Sequence, residues 1–374
     1  MNFFISRTDE SLLGRWWWSV DRVLLLALGL LILFGAVLIT AASPAIATRL
    51  HETWFYFVVK HFFYLVPTVV IMLGLSMMSV TAIRRVVSVI FLVTLTMLFL
   101  VPVVGSELNG ARRWISLGGF SLQPSEFIKP TFAVVAAWLF SSQHRDHAFP
   151  GYIVSCILYA VIVGLLLLQP DLGMTVVVSL VWAAQFFMAG LPISVVAILF
   201  VLFVSGLFGI YLTFPHVSSR IDRFLDPKAG DTYQVDRALE AFQNGGFFGT
   251  GPGQGTIKRV LPDAHADFIF AVSGEEFGLI LTIGLVVLYG FILWRGMQRV
   301  RQSDSLFVML AVSGLLVQFG GQALIHMGSS LRLLPAKGMT LPFVSYGGSS
   351  LLALGLSMGI ILGLTRQHVL KRPK

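Results

Sequence analysis

The sequence predicts an all-α polytopic membrane protein of about ten transmembrane helices, and three observations carry that reading. The 374 residues are 56% hydrophobic and only 12% charged, with a mean hydropathy of +0.85, more apolar surface than a soluble core can bury. Ten nearly uncharged runs of about 18 or more residues recur along the chain, and about 20 residues at 1.5 Å each cross a bilayer core of about 30 Å. Lys and Arg concentrate on one side of these runs, as the positive-inside bias requires.

The elements follow in order. The first run, about 21–43, comes after a polar stretch carrying Trp16, Trp17 and Trp18 and shows no small-residue cleavage site, so it reads as a retained anchor and not a signal peptide. Runs at about 58–79 and 86–105 come next, then one at 124–141 that opens at Pro124. The run at 151–169 contains Cys156, the only cysteine, which excludes an intramolecular disulfide and a cysteine metal cluster. The sixth, 172–189, begins after Pro170, with Asp171 placed to cap it. Runs at 192–214, 267–295, 305–330 and 346–366 complete the set.

With the N-terminus inside, the inner segments carry Arg7, Arg15, Arg22, Arg84, Arg85, Arg145, Arg295, Arg299, Arg301, Arg366, Lys371, Arg372 and Lys374, and the short outer loops carry fewer. Both termini are expected in the cytoplasm, with residues 1–20 and 367–374 flanking a membrane domain over 21–366. The inner-loop bias accounts for half the basic residues, so the net charge of +8 does not imply nucleic acid.

One long outer segment, about 215–266, lies between the seventh and eighth runs. Its Arg220, Arg223, Lys228, Arg237, Lys258 and Arg259 do not upset the topology, because long loops translocate regardless of charge. TYQVDRALEAFQNGG has apolar residues at helical spacing and a Gly-Gly stop, which predicts a short re-entrant or surface helix. The FFGTGPGQG that follows is either a flexible linker or a loop whose backbone approaches a ligand closely. It lacks the Gly-Lys-Ser/Thr ending of a phosphate loop and follows no strand, which rejects nucleotide binding.

Three further outer features carry chemistry-bearing residues. In NGARRWISLGGFSLQPSEFIKP, Glu126 and Lys129 are three apart and share a helix face; either they neutralise each other, or Lys129 with Arg112 and Arg113 presents cations to an anionic group outside the membrane. LPAKGMTLPFVSYGGSS turns into the last helix through Gly347, Gly348, Ser349 and Ser350. With Lys337 nearby, that turn suits a phosphate as well as it suits capping and close packing.

The third feature is VLPDAHADFIFAVSGEEFG, which sets Asp267, Glu275 and Glu276 at the mouth of an apolar run, where a carboxylate near lipid is costly. Asp267 either caps the eighth helix, stabilising its positive end by about 0.3–1 kcal/mol, or stands near the outer headgroup layer facing a hydrated cavity. At 100° per residue, Glu275 lies about 80° from Asp267 and Glu276 about 180°. Glu275 is therefore expected to share the cavity and Glu276 is not.

Taken together, LPDAHADFIFAVSGEEFG, YQVDRALEAFQNGGFFGTG, RRWISLGGFSLQPSEFIK, QPDLG and LPAKGMTLPFVSYGGSSLL closely resemble the SEDS (shape, elongation, division and sporulation) family, across nearly the whole chain and in order. The wording is nearer the family's cell-division branch than its elongation branch. The resemblance implies a ten-helix enzyme of the bacterial cytoplasmic membrane, enriched at the septum, that polymerises lipid II into peptidoglycan glycan strands. It works beside a class B penicillin-binding transpeptidase and other division proteins.

The same resemblance puts the essential acid on Asp267 and substrate-binding groups on Arg113, Glu126, Lys129, Asp171 and Lys337, with Trp114 beside Arg113. Two positions depart from the family pattern: His326 stands where asparagine is usual and Ala266 where threonine is common, and neither is assigned a role. Lys258, Arg259, Glu275 and Ser349 complete the candidate substrate-binding set.

The chemistry expected of such an enzyme needs one base rather than the usual acid and base of a glycosidase, because pyrophosphate is already a good leaving group. Asp267 is that base. Arg113 and Lys129, then Lys258, Arg259 and Lys337, are the candidates to neutralise the departing pyrophosphate. No dedicated metal-ligand spacing is present, so any Mg²⁺ or Mn²⁺ would arrive with the substrate's phosphates. A lipid II flippase and a non-catalytic division scaffold are the rival readings.

Overall fold

The computed structural model describes residues 11–108, 111–117, 120–190, 193–213, 232–335 and 338–366, together with Ser218, Ser219, Asp222 and Phe224. Each apolar run holds a helix: α2 (Arg22–Arg49), α3 (Tyr56–Met77), α4 (Val80–Val104), α5 (Pro124–Arg145), α6 (Gly151–Leu168), α7 (Leu172–Met188), α8 (Ile193–Thr213), α10 (Ile269–Val300), α11 (Leu306–Ser330) and α12 (Gly348–Leu364). A short α1 (Leu12–Ser19) precedes them, and the outer segment supplies α9 (Tyr233–Gly245). Among the described residues six helices, α2, α3, α4, α6, α10 and α11, are long and apolar enough to cross a membrane, and α7 and α12 are shorter apolar helices.

Helix α12 lies along α3, and its small residues explain how closely. Gly355, Gly359 and Gly363 recur every fourth position, so they line one face. A Cβ at each would meet the carbonyl oxygens of Thr68, Met72 and Leu75 at 2.6, 2.8 and 2.8 Å. Small residues let backbones touch where lipid offers no hydrophobic drive between helices. Around this pair, α5, α7 and α11 form the buried centre, with Phe132, Val177, Leu310, Phe319 and Leu362 almost fully enclosed.

The connection ahead of α5 holds structure that apolar patterning did not predict. Strands β1 (Ser106–Leu108), β2 (Ala111–Leu117) and β3 (Phe120–Leu122) form an antiparallel sheet in that order, with a register irregularity at Ser106/Glu107.

The long eighth run is also not one continuous rod. Gly278 has φ 73° and ψ −179°, which breaks α10, and the Gly-rich stretch after α9 fills the gap. Thr250 and Gly251 N–H donate to the carbonyls of Glu275 and Glu276 at 2.9 and 3.0 Å, while Leu279 N–H donates to Gly246 O at 2.9 Å. The polar groups released by the break are thus satisfied by protein, the condition for irregular backbone at membrane depth. Glycine is required on both sides of this contact. A Cβ on Gly278 would stand 2.3 Å from Gly249 N, and one on Gly249 would stand 2.2 Å from Glu276 O. The FFGTGPGQG backbone makes its close approach to the chain's own helix.

Residues expected on the inner side meet at one end of the bundle. Asp21 caps α2 and pairs with Arg295 at 2.8 Å and with Arg299, and Trp16 Nε1 donates to Ser76 Oγ at 2.8 Å. Burial pushes the Asp21 carboxyl up, but hydrogen bonds from Arg299, Arg295 and Leu24 N–H outweigh it and leave the group below its ordinary range. Outer segments meet at the opposite end, where Arg49 reaches Leu261 O and Lys258 reaches Ala41 O at 3.3 and 2.7 Å.

Candidate functional site

Asp267 sits in a run of turns, residues 262–268, just ahead of α10. The N-cap of α10 is Phe268 and no side chain caps it, so the simple capping role considered for Asp267 does not apply. Its amide donates to Asp263 O at 2.9 Å, and Asp263 takes φ 48°. That tight turn presents the Asp267 side chain half-exposed, while Phe268, Ile269 and Phe270 are buried.

A second segment, residues 338–347, straps this turn down. Tyr346 N–H donates to His265 O at 2.9 Å and Ser345 Oγ donates to Ala266 O at 2.7 Å. A Cβ on Gly338 would lie 3.2 Å from Asp267 Oδ2. The His265 ring is wedged between Phe57 and Tyr346, at centroid distances of 4.3 and 5.2 Å. Burial holds this imidazole down to about 4, a shift Asp263 opposes, and burial lifts the Tyr346 phenol to about 12. Both groups are therefore neutral around pH 7.

The strap is tied in turn to the centre of the bundle. Gln322 Nε2 donates to Thr340 O at 3.0 Å and Thr340 Oγ1 meets Ser350 Oγ at 2.6 Å. His326 Nδ1 meets Met339 O at 2.7 Å, offering a donor one bond from Cγ, where an asparagine amide would also offer one. Lys129 Nζ pairs with Glu126 at 2.8 Å and donates to Gln322 Oε1 at 3.1 Å. Lys129 is only 2% exposed, so its charge supports Gln322 from below and does not face solvent. Ser349 Oγ is likewise occupied, accepting from Gln123 N–H at 3.0 Å.

Arg113, on β2, donates from Nε to Gln169 O and from Nη2 to Pro170 O, at 3.0 and 2.6 Å. It thereby fixes the turn that ends in Asp171, whose carboxylate caps α7 through Met174 N–H at 3.2 Å. The sheet thus holds the start of α7 beside Met339, whose sulfur would lie 3.2 Å from a Cβ on Gly173.

The helical-wheel expectation for the two glutamates is corrected. Glu275 is fully buried and accepts from the N–H groups of Thr256, Ile257 and Lys258 at 2.7, 2.7 and 3.0 Å and from Asn244 Nδ2 at 3.0 Å. It anchors the 3-10 turn Ile257–Arg259 and does not share a cavity with Asp267. Glu276, next along the helix, accepts from Gly253 N–H at 3.0 Å and pairs with the buried Lys258. The loop wraps the end of α10, so two adjacent faces of the helix meet the same segment. Arg259 is exposed on that turn, and Lys337 lies outside the described residues. Among the described residues no group of three or more His, Cys, Asp or Glu side chains could hold a metal ion.

Patterning pointed to Asp267 but gave no role to the groups that hold the strap and the turn: Gln322, His326, Thr340 and Ser345. A signal was present. Gln322 and His326 are polar, four apart and inside an apolar run, where uncompensated polar groups are costly.

Residues 21–369 match the family described as cell cycle protein and named for FtsW, RodA and SpoVE. The probable peptidoglycan glycosyltransferase FtsW of Caulobacter vibrioides is 43% identical over 364 residues, spanning 97% of this chain and 93% of that protein. Its counterpart in Coxiella burnetii is 36% identical over 357 residues, spanning 92% and 96%. Among solved structures, a chain of a peptidoglycan synthase complex that coordinates polymerization and crosslinking aligns with TM-score 0.74 at 27% identity, over 92% of this chain and 97% of that one. The rod shape determining protein RodA of Thermus thermophilus aligns with TM-score 0.69 at 28% identity, over 93% and 97%.

Proposed function

This chain belongs to the cell cycle protein family of FtsW, RodA and SpoVE, and from that membership we propose that it polymerises lipid II into β-1,4 glycan strands at the division septum, with Asp267 as general base. It is a multi-pass inner-membrane peptidoglycan glycosyltransferase of the FtsW kind. The ten helices of the apolar runs cross the bilayer with both termini in the cytoplasm, and Asp267 stands on the periplasmic side.

The observation that carries the assignment is the setting of Asp267. Asp267 is half-buried on a non-helical turn and does not cap α10, and the backbone of that turn is held by a strap tied to the bundle. A rigidly held carboxylate near solvent is what a general base needs. Asp267 takes the proton of the acceptor sugar's 4-hydroxyl as that oxygen attacks C1 of the donor. The bond from C1 to the phosphate oxygen breaks and undecaprenyl pyrophosphate departs. Attack opposite the α-linked pyrophosphate inverts the centre.

Neutralising the leaving group needs a cation. Lys129 and Lys258 are buried in ion pairs and Arg113 is committed to two carbonyls. Arg259, exposed shortly before the Asp267 turn, is the candidate among the described residues, and Lys337 stays a candidate on the sequence alone. Any Mg²⁺ or Mn²⁺ would bind with the pyrophosphate. A class B penicillin-binding transpeptidase is the partner that would crosslink the strands.

Purified full-length protein in detergent, given lipid II and no bilayer, is expected to make glycan chains, and Asp267→Asn, nearly unchanged in size, is expected to make none. Lipid II binding without product by the wild type would instead favour a flippase. Undiminished polymerisation by folded Asp267→Asn would remove the base assignment.

A further inference from the structure

Two side chains of α11 hold consecutive carbonyls of the strap. Gln322 Nε2 donates to Thr340 O at 3.0 Å, and His326 Nδ1 meets Met339 O at 2.7 Å. The two residues are four apart and share a helix face. A carbonyl oxygen only accepts, so Nδ1 carries the proton and Nε2 is left as a bare acceptor. His326 is fully buried and its Nε2 meets no partner among the described residues. An imidazole that leaves one nitrogen unmet in the interior is costly to keep where a hydrocarbon would pack, which directs attention to what the other nitrogen does. The carbonyl it holds belongs to the residue after Gly338, and Gly338 packs against Asp267 Oδ2.

We propose that His326 is a positioning residue for Asp267: its Nδ1–H fixes the Met339 carbonyl and so seats Gly338 against the carboxylate in the orientation proton removal requires. This rests on Asp267 acting as the base. Gln322 cannot replace the contact, because its amide N–H groups are spent on Thr340 O and Oγ1 and its Oε1 accepts from Lys129. A displacement of about 1 Å at a reacting group can cost about 100-fold in rate. Binding of a large lipid-linked sugar is spread over many contacts that such a displacement leaves intact. The effect therefore falls on kcat and leaves KM nearly unchanged.

Three variants of the full-length protein, assayed in detergent with lipid II, test this. His326→Asn keeps a donor on the atom bonded to Cγ and is expected within about threefold of wild-type kcat; His326→Leu keeps bulk without a donor and is expected to lose about tenfold or more with KM within about twofold. His326→Gln moves the donor one bond outward and is expected to resemble the Leu variant. Wild-type kcat in His326→Leu, a loss confined to KM, or an Asn variant as slow as Leu with a wild-type melting temperature would each overturn the proposal. If the Leu variant does not fold, the Asn and Gln pair decides, and equal rates for those two overturn it. Failure of the underlying reading is distinguishable: the wild type itself would make no chains, or Asp267→Asn would still make them, and either result removes the proposal with its premise.

Discussion

Gly338 packs against Asp267 so closely that a Cβ on the glycine would stand 3.2 Å from the carboxylate Oδ2. The strap therefore leaves little room for a side chain beside the carboxylate assigned the chemistry. Gly338→Val should push the strap or the carboxylate aside and lower the polymerisation rate by about tenfold or more, with little change in melting temperature because Gly338 is exposed. A valine variant with wild-type rate would show that this contact does not set the carboxylate's position.

Glu275 satisfies four donors from inside the protein. Glu275→Ala would leave the buried Lys258 N–H without its partner at about 1–3 kcal/mol, with a smaller cost at the part-buried Asn244, Thr256 and Ile257 donors, which water can reach. A clear drop in melting temperature is expected, along with faster proteolysis between Gly246 and Arg259. Unchanged proteolysis there would mean the loop is held by its backbone contacts alone.

Lys258 and Glu276 form a buried pair, 4% and 0% exposed at the side chain. Removing one partner of such a pair strands the other charge at about 3–5 kcal/mol, whereas removing both is far milder. Lys258→Met alone should destabilise more than Lys258→Met combined with Glu276→Gln. A double-mutant cycle read by thermal melting checks this, and strictly additive effects would argue against coupling.

His265 gives stability a pH dependence of defined sign. Burial holds its imidazole at about 4, down from 6.5. Between those values the unfolded chain binds a proton that the folded chain does not, so this group makes stability rise with pH through the window and fall on acidification. His265→Phe keeps a ring between Phe57 and Tyr346 and should flatten that slope. Melting temperatures from pH 4 to 6.5 are the measurement, and an unaltered slope would assign it to other groups.

The helices were legible because apolar length is a strong signal that tertiary context seldom overrides. Every predicted run contains a helix, and the TYQVDRALEAFQNGG helix ends on Gly246 at φ 54°, as its Gly-Gly stop implied. Asp171 caps α7 as its place after Pro170 suggested. The sheet was hidden because β1 and β3 have three residues each, too few for alternation to register. The break in α10 was hidden because Gly278 looks like any other glycine in an apolar run; only the loop threading through the gap reveals its role. The wheel failed for another reason: Asp267 lies in the turns ahead of α10, which begins at Ile269, so its direction cannot be projected along the helix to Glu275 and Glu276, and one wrapped segment reaches both. Lys129 illustrates a further limit: spacing showed that Glu126 could meet it, but nothing in the sequence says that Gln322 closes the pair off from water.

The interruption at Gly278 divides α10 into two separately bonded lengths, so strain applied to its far end at Arg295 and Arg299 has no unbroken hydrogen-bond ladder leading to the Asp267 turn. Helix α2 offers the alternative route, since it carries Asp21 at one extremity and the Ala41 carbonyl gripped by Lys258 toward the other. A displacement at Asp21 can therefore reach the loop ahead of the Asp267 turn along the hydrogen-bonded ladder of α2, ending at the contact between Ala41 O and Lys258.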